Sequence, residues 1–210
     1  MNQNTLSTLD VIRTFYINEE LLPKVFSKKS SPEIFEKELI LLCEKAQSLT
    51  KKKLLSYHMD NWGMRYYHYL NAQWELREVS LDECGVWPKM SSLPSKMTYG
   101  SALDTAKEVR ELLDNRKNLT WKNHRVLYIE KLLPFAEILT KHLPLILLEG
   151  GTLRTIEISE LKDKQYFRSF PYDIDDGNNR AVALSLLGHT RVQAFVGTPL
   201  YKNPLLQSWY

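Results

Sequence analysis

Asp175-Asp176-Gly177-Asn178-Asn179-Arg180 gathers more reactive side chains than any other run of this 210-residue chain. Two carboxylates, a glycine, two amides and a guanidinium stand in immediate succession. Gly177 permits backbone geometry that a side chain would forbid. If a helix opens there, its first N–H groups have no intrahelical partners, and such a start receives phosphate or another anion. Arg180 falls in the first helical turn and adds a permanent cation with several donors suited to phosphate oxygens. The helix dipole contributes a further preference of about 0.3–1 kcal/mol for an anion. Asp175 and Asp176 repel that anion unless something neutralises them: a bound Mg²⁺, a substrate hydroxyl or amine, or an arginine. A metal bridging carboxylate and phosphate is common where phosphoryl groups are handled, which makes Asp175 and Asp176 the candidate metal ligands. The competing reading is structural, with an aspartate capping the helix and Arg180 paired to it.

These residues need a strand to deliver them and a helix to follow. Phe170 to Ile174 reads as the strand, and Asn179 to Leu187 as a small amphipathic helix with Gly188 at the position after its end. Pro144 to Glu149 reads as a buried strand, Thr155 to Ile158 as a second, and Val192, Ala194 and Val196 alternate as a last one. Arg125 to Leu143 reads as helix interrupted by Pro134. The first half reads as mainly helical. Ser31-Pro32-Glu33 marks one helix start, Ser101 to Arg116 is an amphipathic helix, and residues 84–100 are loop-like.

Composition places few limits. A hydrophobic fraction of 43% and a charged fraction of 25% suit a folded chain with a real core. A net charge of +3 does not by itself predict nucleic-acid binding. Cys43 and Cys84 have no metal or redox spacing and read as reduced structural thiols. The five histidines show no zinc spacing. The first 20 residues lack a signal-peptide core, and the longest apolar stretch, Leu143 to Leu148, is too short to span a bilayer. A cytoplasmic protein without a membrane partner is the simplest expectation. The aromatic and basic stretch Leu54 to Glu78 could stack the bases of a single strand, although aromatics at helical spacing more often pack a core. Lys51-Lys52-Lys53 reads as a solvated helix end.

The run from Tyr172 to Val196, Tyr-Asp-Ile-Asp-Asp-Gly-Asn-Asn-Arg-Ala-Val-Ala-Leu-Ser-Leu-Leu-Gly-His-Thr-Arg-Val-Gln-Ala-Phe-Val, resembles the signature of the ParB/sulfiredoxin superfamily. That signature is a strand, a D-G-x-H-R type turn, a helix ending in glycine and a returning apolar strand. The resemblance extends weakly back to Pro144 and does not cover residues 1–118. It implies a small α/β domain whose G-x-x-R turn binds nucleotide phosphates, as in sulfiredoxin, CTP-hydrolysing partition proteins and a free-serine kinase. Carried over by position, Gly177, Asn178, Asn179 and Arg180 form the phosphate turn, and Asp176 matches its acid. Asn179 stands where many members have histidine, which removes the proton-transfer option. The turn also lacks the cysteine that sulfinic acid reduction requires. The kinase branch places a catalytic acid upstream, and Glu157 and Glu160 are the nearest candidates.

The expectation is therefore an α+β chain. Residues 1–118 form a mainly helical region and residues 119–210 a ParB/sulfiredoxin-like nucleotide-binding domain. Its ligand is ATP or CTP with Mg²⁺, and Asp176 and Glu160 are its catalytic candidates. Binding alone, phosphotransfer and nucleotide hydrolysis all stay open. The alternative is a non-catalytic module that keeps the fold and binds DNA or protein. No motif points to an oligomeric state.

Overall fold

Ala72, Trp74 and Leu76 alternate with polar residues, which is the period of a strand and not of a helix. In a computed structural model of the protein, this segment is the longest strand of the N-terminal half. The structure describes residues 5–23, 31–86, 100–119, 124–149, 154–155, 167–168 and 170–200. The chain is α+β, with a helical N-terminal region and a mixed sheet. It opens with strand β1 (Thr5–Leu6) and helix α1 (Thr8–Tyr16). Ser7 caps α1 by accepting from the Asp10 amide. A π-helical turn, Ile17–Leu21, continues it. Helices α2 (Pro32–Gln47) and α3 (Lys51–Leu70) follow, then strands β2 (Ala72–Ser80) and β3 (Cys84–Gly85).

Helix α4 (Ala102–Asp114) starts with a capping box in which Ser101 and Asp104 each bond the other's backbone amide. Helices α5 (His124–Leu132) and α6 (Ala136–His142) are separated by a 3₁₀ turn at Leu133–Phe135. Pro134 lies inside that turn, where the missing N–H and fixed ring geometry break the α-helical ladder. Strand β4 (Leu145–Glu149), the short pair β5 (Arg154–Thr155) and β6 (Phe167–Arg168), strand β7 (Tyr172–Asp176), helix α7 (Asn178–Leu186) and strand β8 (Arg191–Pro199) complete the order.

The main sheet has six strands in the order β1-β2-β8-β4-β7-β3, and β5 and β6 pair separately. β8 lies antiparallel to β2 from Ala72↔Pro199 to Ser80↔Arg191. It lies parallel to β4 on its other side. β4 in turn runs antiparallel to β7. One face of the sheet presents Val79, Leu145, Leu147, Ile174, Val192, Ala194 and Val196 to a core shared with α2, α4, α5, α6 and α7. The other presents Ala72, Trp74, Ile146 and Phe195 to Val11, Ile12 and Phe15 of α1 and to Leu54 and Tyr69 of α3. The π-helical turn marks where α1 changes sides, because Ile17 and Leu21 belong to the first core.

The mainly helical first half also carries β2 and β3, and β2 is held along its full length by β8. The boundary expected at 118/119 consequently divides strands of one sheet. Thr155 does lie in a strand, but residues 156–166 fall outside the described residues, and with them Glu157 and Glu160. No helix among the described residues is long and apolar enough to cross a membrane.

Candidate functional site

Asp176 closes β7 and Gly177 turns the chain into α7. Gly177 adopts φ +96°, the left-handed region that favours glycine. A Cβ there would meet Leu145 Cδ2 at 2.5 Å and Arg180 Nη2 at 3.1 Å, so the turn has no room for a side chain. The N-cap position of α7 is Gly177 itself, which has no side chain to cap the helix. The Asn178 amide instead reaches back and donates to the Ile174 carbonyl at 3.2 Å. The far end of α7 is closed by a Schellman motif. Gly188 sits at φ +94°, the His189 N–H bonds the Leu184 carbonyl at 3.0 Å, and the Gly188 N–H bonds the Ser185 carbonyl at 3.1 Å.

Arg180 does not project from this turn into solvent. Only 6% of its side chain is exposed. Its Nη1 donates to the Leu143 carbonyl and, at 3.4 Å, to the Leu139 carbonyl. These are the last-turn and terminal carbonyls of α6, the negative end of that helix's dipole. One guanidinium edge therefore caps a neighbouring helix. The other, Nη2, lies 3.8 Å from Asp176 Oδ2. It is buried and has no hydrogen-bond partner among the described residues. Burial pulls the Arg180 pKa down from its ordinary value, and the charges of Asp176 and Tyr128 oppose that shift.

The two carboxylates take separate partners. Asp175 is buried and its Oδ2 accepts from the Tyr69 hydroxyl at 2.6 Å. Tyr69 belongs to the α1–α3 core, where its ring meets Phe15 and Trp74 edge-on. Asp176 Oδ2 accepts from Asn18 Nδ2 at 2.5 Å. The ladder between β4 and β7 shifts register here, with Ile146 opposite Asp176 and Leu147 opposite Ile174, so Asp175 lies at the irregularity. No group of three or more His, Cys, Asp or Glu among the described residues could hold a metal ion.

Other candidates resolve in the same way. Asn179 is half-buried, and its Oδ1 has no hydrogen-bond partner among the described residues. Tyr69 and Trp74, from the aromatic and basic stretch, are core residues and offer no stacking surface. Lys51, Lys52 and Lys53 are exposed at the N-terminal end of α3. Both cysteines are free. Burial pushes the Cys84 thiol up to about 12, with Glu83 and Asp173 adding to it, so it is a poor nucleophile.

Three residues of this corner have no signature in the sequence. Asn18 comes from the π-helical turn, 158 positions from the carboxylate it contacts. Arg125 of α5 places its guanidinium 5.9 Å from the centroid of the Tyr128 ring. Burial raises the Tyr128 phenol's pKa, with Arg125 and Arg180 opposing and Glu19 and Asp176 reinforcing the shift. Charges from α1, α5, β7 and α7 thus meet in one place. The signal that could have flagged Asn18 is a polar side chain one position past Ile17, within the apolar stripe of α1. No family model, curated protein or solved structure matches this chain.

Proposed function

We propose that the β7–α7 junction binds the phosphate groups of a nucleotide, ATP or CTP, in a ParB/sulfiredoxin-like module, and that it binds without turning the ligand over. The observation that carries this reading is the pairing of a helix opened by Gly177, an N-cap residue with no side chain, with a buried guanidinium edge that has no hydrogen-bond partner among the described residues. A helix start supplies amide donors and the favourable end of the dipole. Arg180 then acts mainly from within, fixing the turn against α6. Asp176 is already engaged by Asn18 and stands beside Arg180, which suits a charge that orders the turn better than a general base. Asn179, in place of histidine, has no proton to relay.

The test is calorimetry with ATP, CTP and tripolyphosphate, with and without Mg²⁺, on the native chain and on Asn179→Asp. That substitution puts a carboxylate in the first turn, which the helix dipole tolerates and a phosphate does not. Native binding that weakens about tenfold or more in Asn179→Asp, at unchanged melting temperature, is the expected result. Absence of binding at millimolar ligand overturns the proposal. Arg180→Ala is a poor probe, because it removes a helix cap along with any ligand contact.

A second reading has one observation of its own. Arg180 Nη1 is spent on two backbone carbonyls, which suits a module that keeps the fold without a ligand and binds DNA or protein. The exposed Lys51–Lys53 triplet is the place where such a module would meet DNA. A salt-dependent gel shift lost in Lys51→Glu/Lys52→Glu/Lys53→Glu, in a chain that ignores nucleotides, would select it.

A further inference from the structure

Asn18 sits within a π-helical turn, an irregularity frequent at functional sites. Its Nδ2 donates to Asp176 Oδ2 at 2.5 Å. A carboxylate oxygen accepts hydrogen bonds, so this contact fixes which end of the amide faces Asp176. Asn18 Oδ1 must then point elsewhere. It is buried and has no hydrogen-bond partner among the described residues. Arg180 Nη2, itself buried and with donors unused, stands 3.8 Å from the same Asp176 oxygen. One carboxylate oxygen is thus flanked by an unmet acceptor from the N-terminal helix and an unmet donor from α7.

Phosphate oxygens satisfy only half of that arrangement. They can accept from Arg180, but they cannot donate to Asn18 Oδ1. A hydroxyl does both, because it carries one donor and two acceptor lone pairs. We propose that Asn18 is a specificity residue that recognises a hydroxyl carried by the ligand next to its phosphates, the sugar hydroxyl of a ribonucleotide. The inference rests on the reading of the β7–α7 junction as a nucleotide site, and it adds the π-helical turn after α1 to that site. The junction then selects a hydroxyl-bearing phosphate ester over a bare polyphosphate. Leaving a buried acceptor unpaired disfavours the analogue that lacks the hydroxyl.

Calorimetry of the native chain with a ribonucleotide, its 2′-deoxy and 3′-deoxy counterparts, and tripolyphosphate tests this directly. The expected result is a loss of about fivefold or more for one deoxy analogue and for tripolyphosphate. In Asn18→Leu, close in volume and without either polar atom, the ribose preference should fall to within about twofold while phosphate binding persists. If that variant does not fold, Asn18→Ser serves in its place, and the native comparison stands without either. Equal binding of all four ligands overturns the role of Asn18 and leaves the phosphate site standing. A ribose preference that survives in the variant also overturns it. No binding of any of the four overturns the phosphate reading and this inference together.

Discussion

At the scale of single residues, Arg180 shows how one side chain can serve two neighbours. Its position in the first turn of α7 invites the reading of a ligand contact. Its side chain runs inward instead and holds the end of α6 through the Leu139 and Leu143 carbonyls. Replacing it by leucine leaves Asp176 without its cation and two carbonyls without their donor. Arg180→Leu is expected to lose about 3–5 kcal/mol of stability, the range for breaking a buried charge pair. Arg180→Lys should lose less, because it keeps the charge but not the planar fork. The midpoint of urea unfolding, read at constant slope, checks both. Residue identity alone revealed the likeness of Gly177 to Arg180 to a phosphate turn. It did not reveal the direction of the guanidinium, which depends on α6 ending beneath it. Nor did it reveal Asn18, whose role exists only through a contact far away along the chain.

At the scale of elements, α7 is a short helix defined by a glycine at each end. The two glycines share nearly the same backbone angle, φ +96° and +94°, but not the same surroundings. A Cβ at Gly177 would press on Leu145 and Arg180, whereas one at Gly188 meets nothing within 4 Å. Gly188→Ala is expected to lose about 1–2 kcal/mol from the left-handed conformation alone. Gly177→Ala carries the same loss plus about 1–3 kcal/mol of overpacking. Thermal unfolding of the two variants side by side measures the difference, and equal losses would show that Leu145 and Arg180 yield freely. Periodicity made α1, α2, α4 and most of the C-terminal strands legible, because each buries one clear stripe. It also contained β2, whose alternation of Ala72, Trp74 and Leu76 is plain once the aromatic residues are set aside. The aromatic content of Leu54 to Glu78 masked that change of period. It joined the tail of a helix and the start of a strand into one apparent segment.

At the scale of the molecule, the sheet unites both halves of the chain, and a polar network crosses it. Arg77 of β2 bonds Glu149 of β4 at 3.0 Å and the Tyr172 hydroxyl of β7 at 3.3 Å, and Thr198 of β8 donates to Glu149 at 2.6 Å. The Thr198 hydroxyl, and then Arg77, hold the Glu149 carboxyl below its ordinary value against the opposing effect of burial. A depressed folded pKa means that the stabilisation is present above the unfolded value, about 4.3, and is lost as pH falls through the folded one. Glu149→Gln should therefore differ from the native chain at pH 7, by less than about 1 kcal/mol at this part-exposed site. The gap should close below about pH 4. Denaturant titrations across pH 3–7 would show it, and a gap independent of pH would refute it. An α+β chain was readable from composition and pattern. The union of its halves was not, since pairing partners far apart in sequence leave no local mark. That union has a consequence for how the protein is made. β2 and β4 are both synthesised before β8, the strand that fills the gap between them. Until β8 arrives, each presents an open edge that a second chain can pair with. The slowest contacts to form are then those between the most distant residues, Ala72 with Pro199 among them. The sheet is completed from its middle, by the last of its six strands to be synthesised.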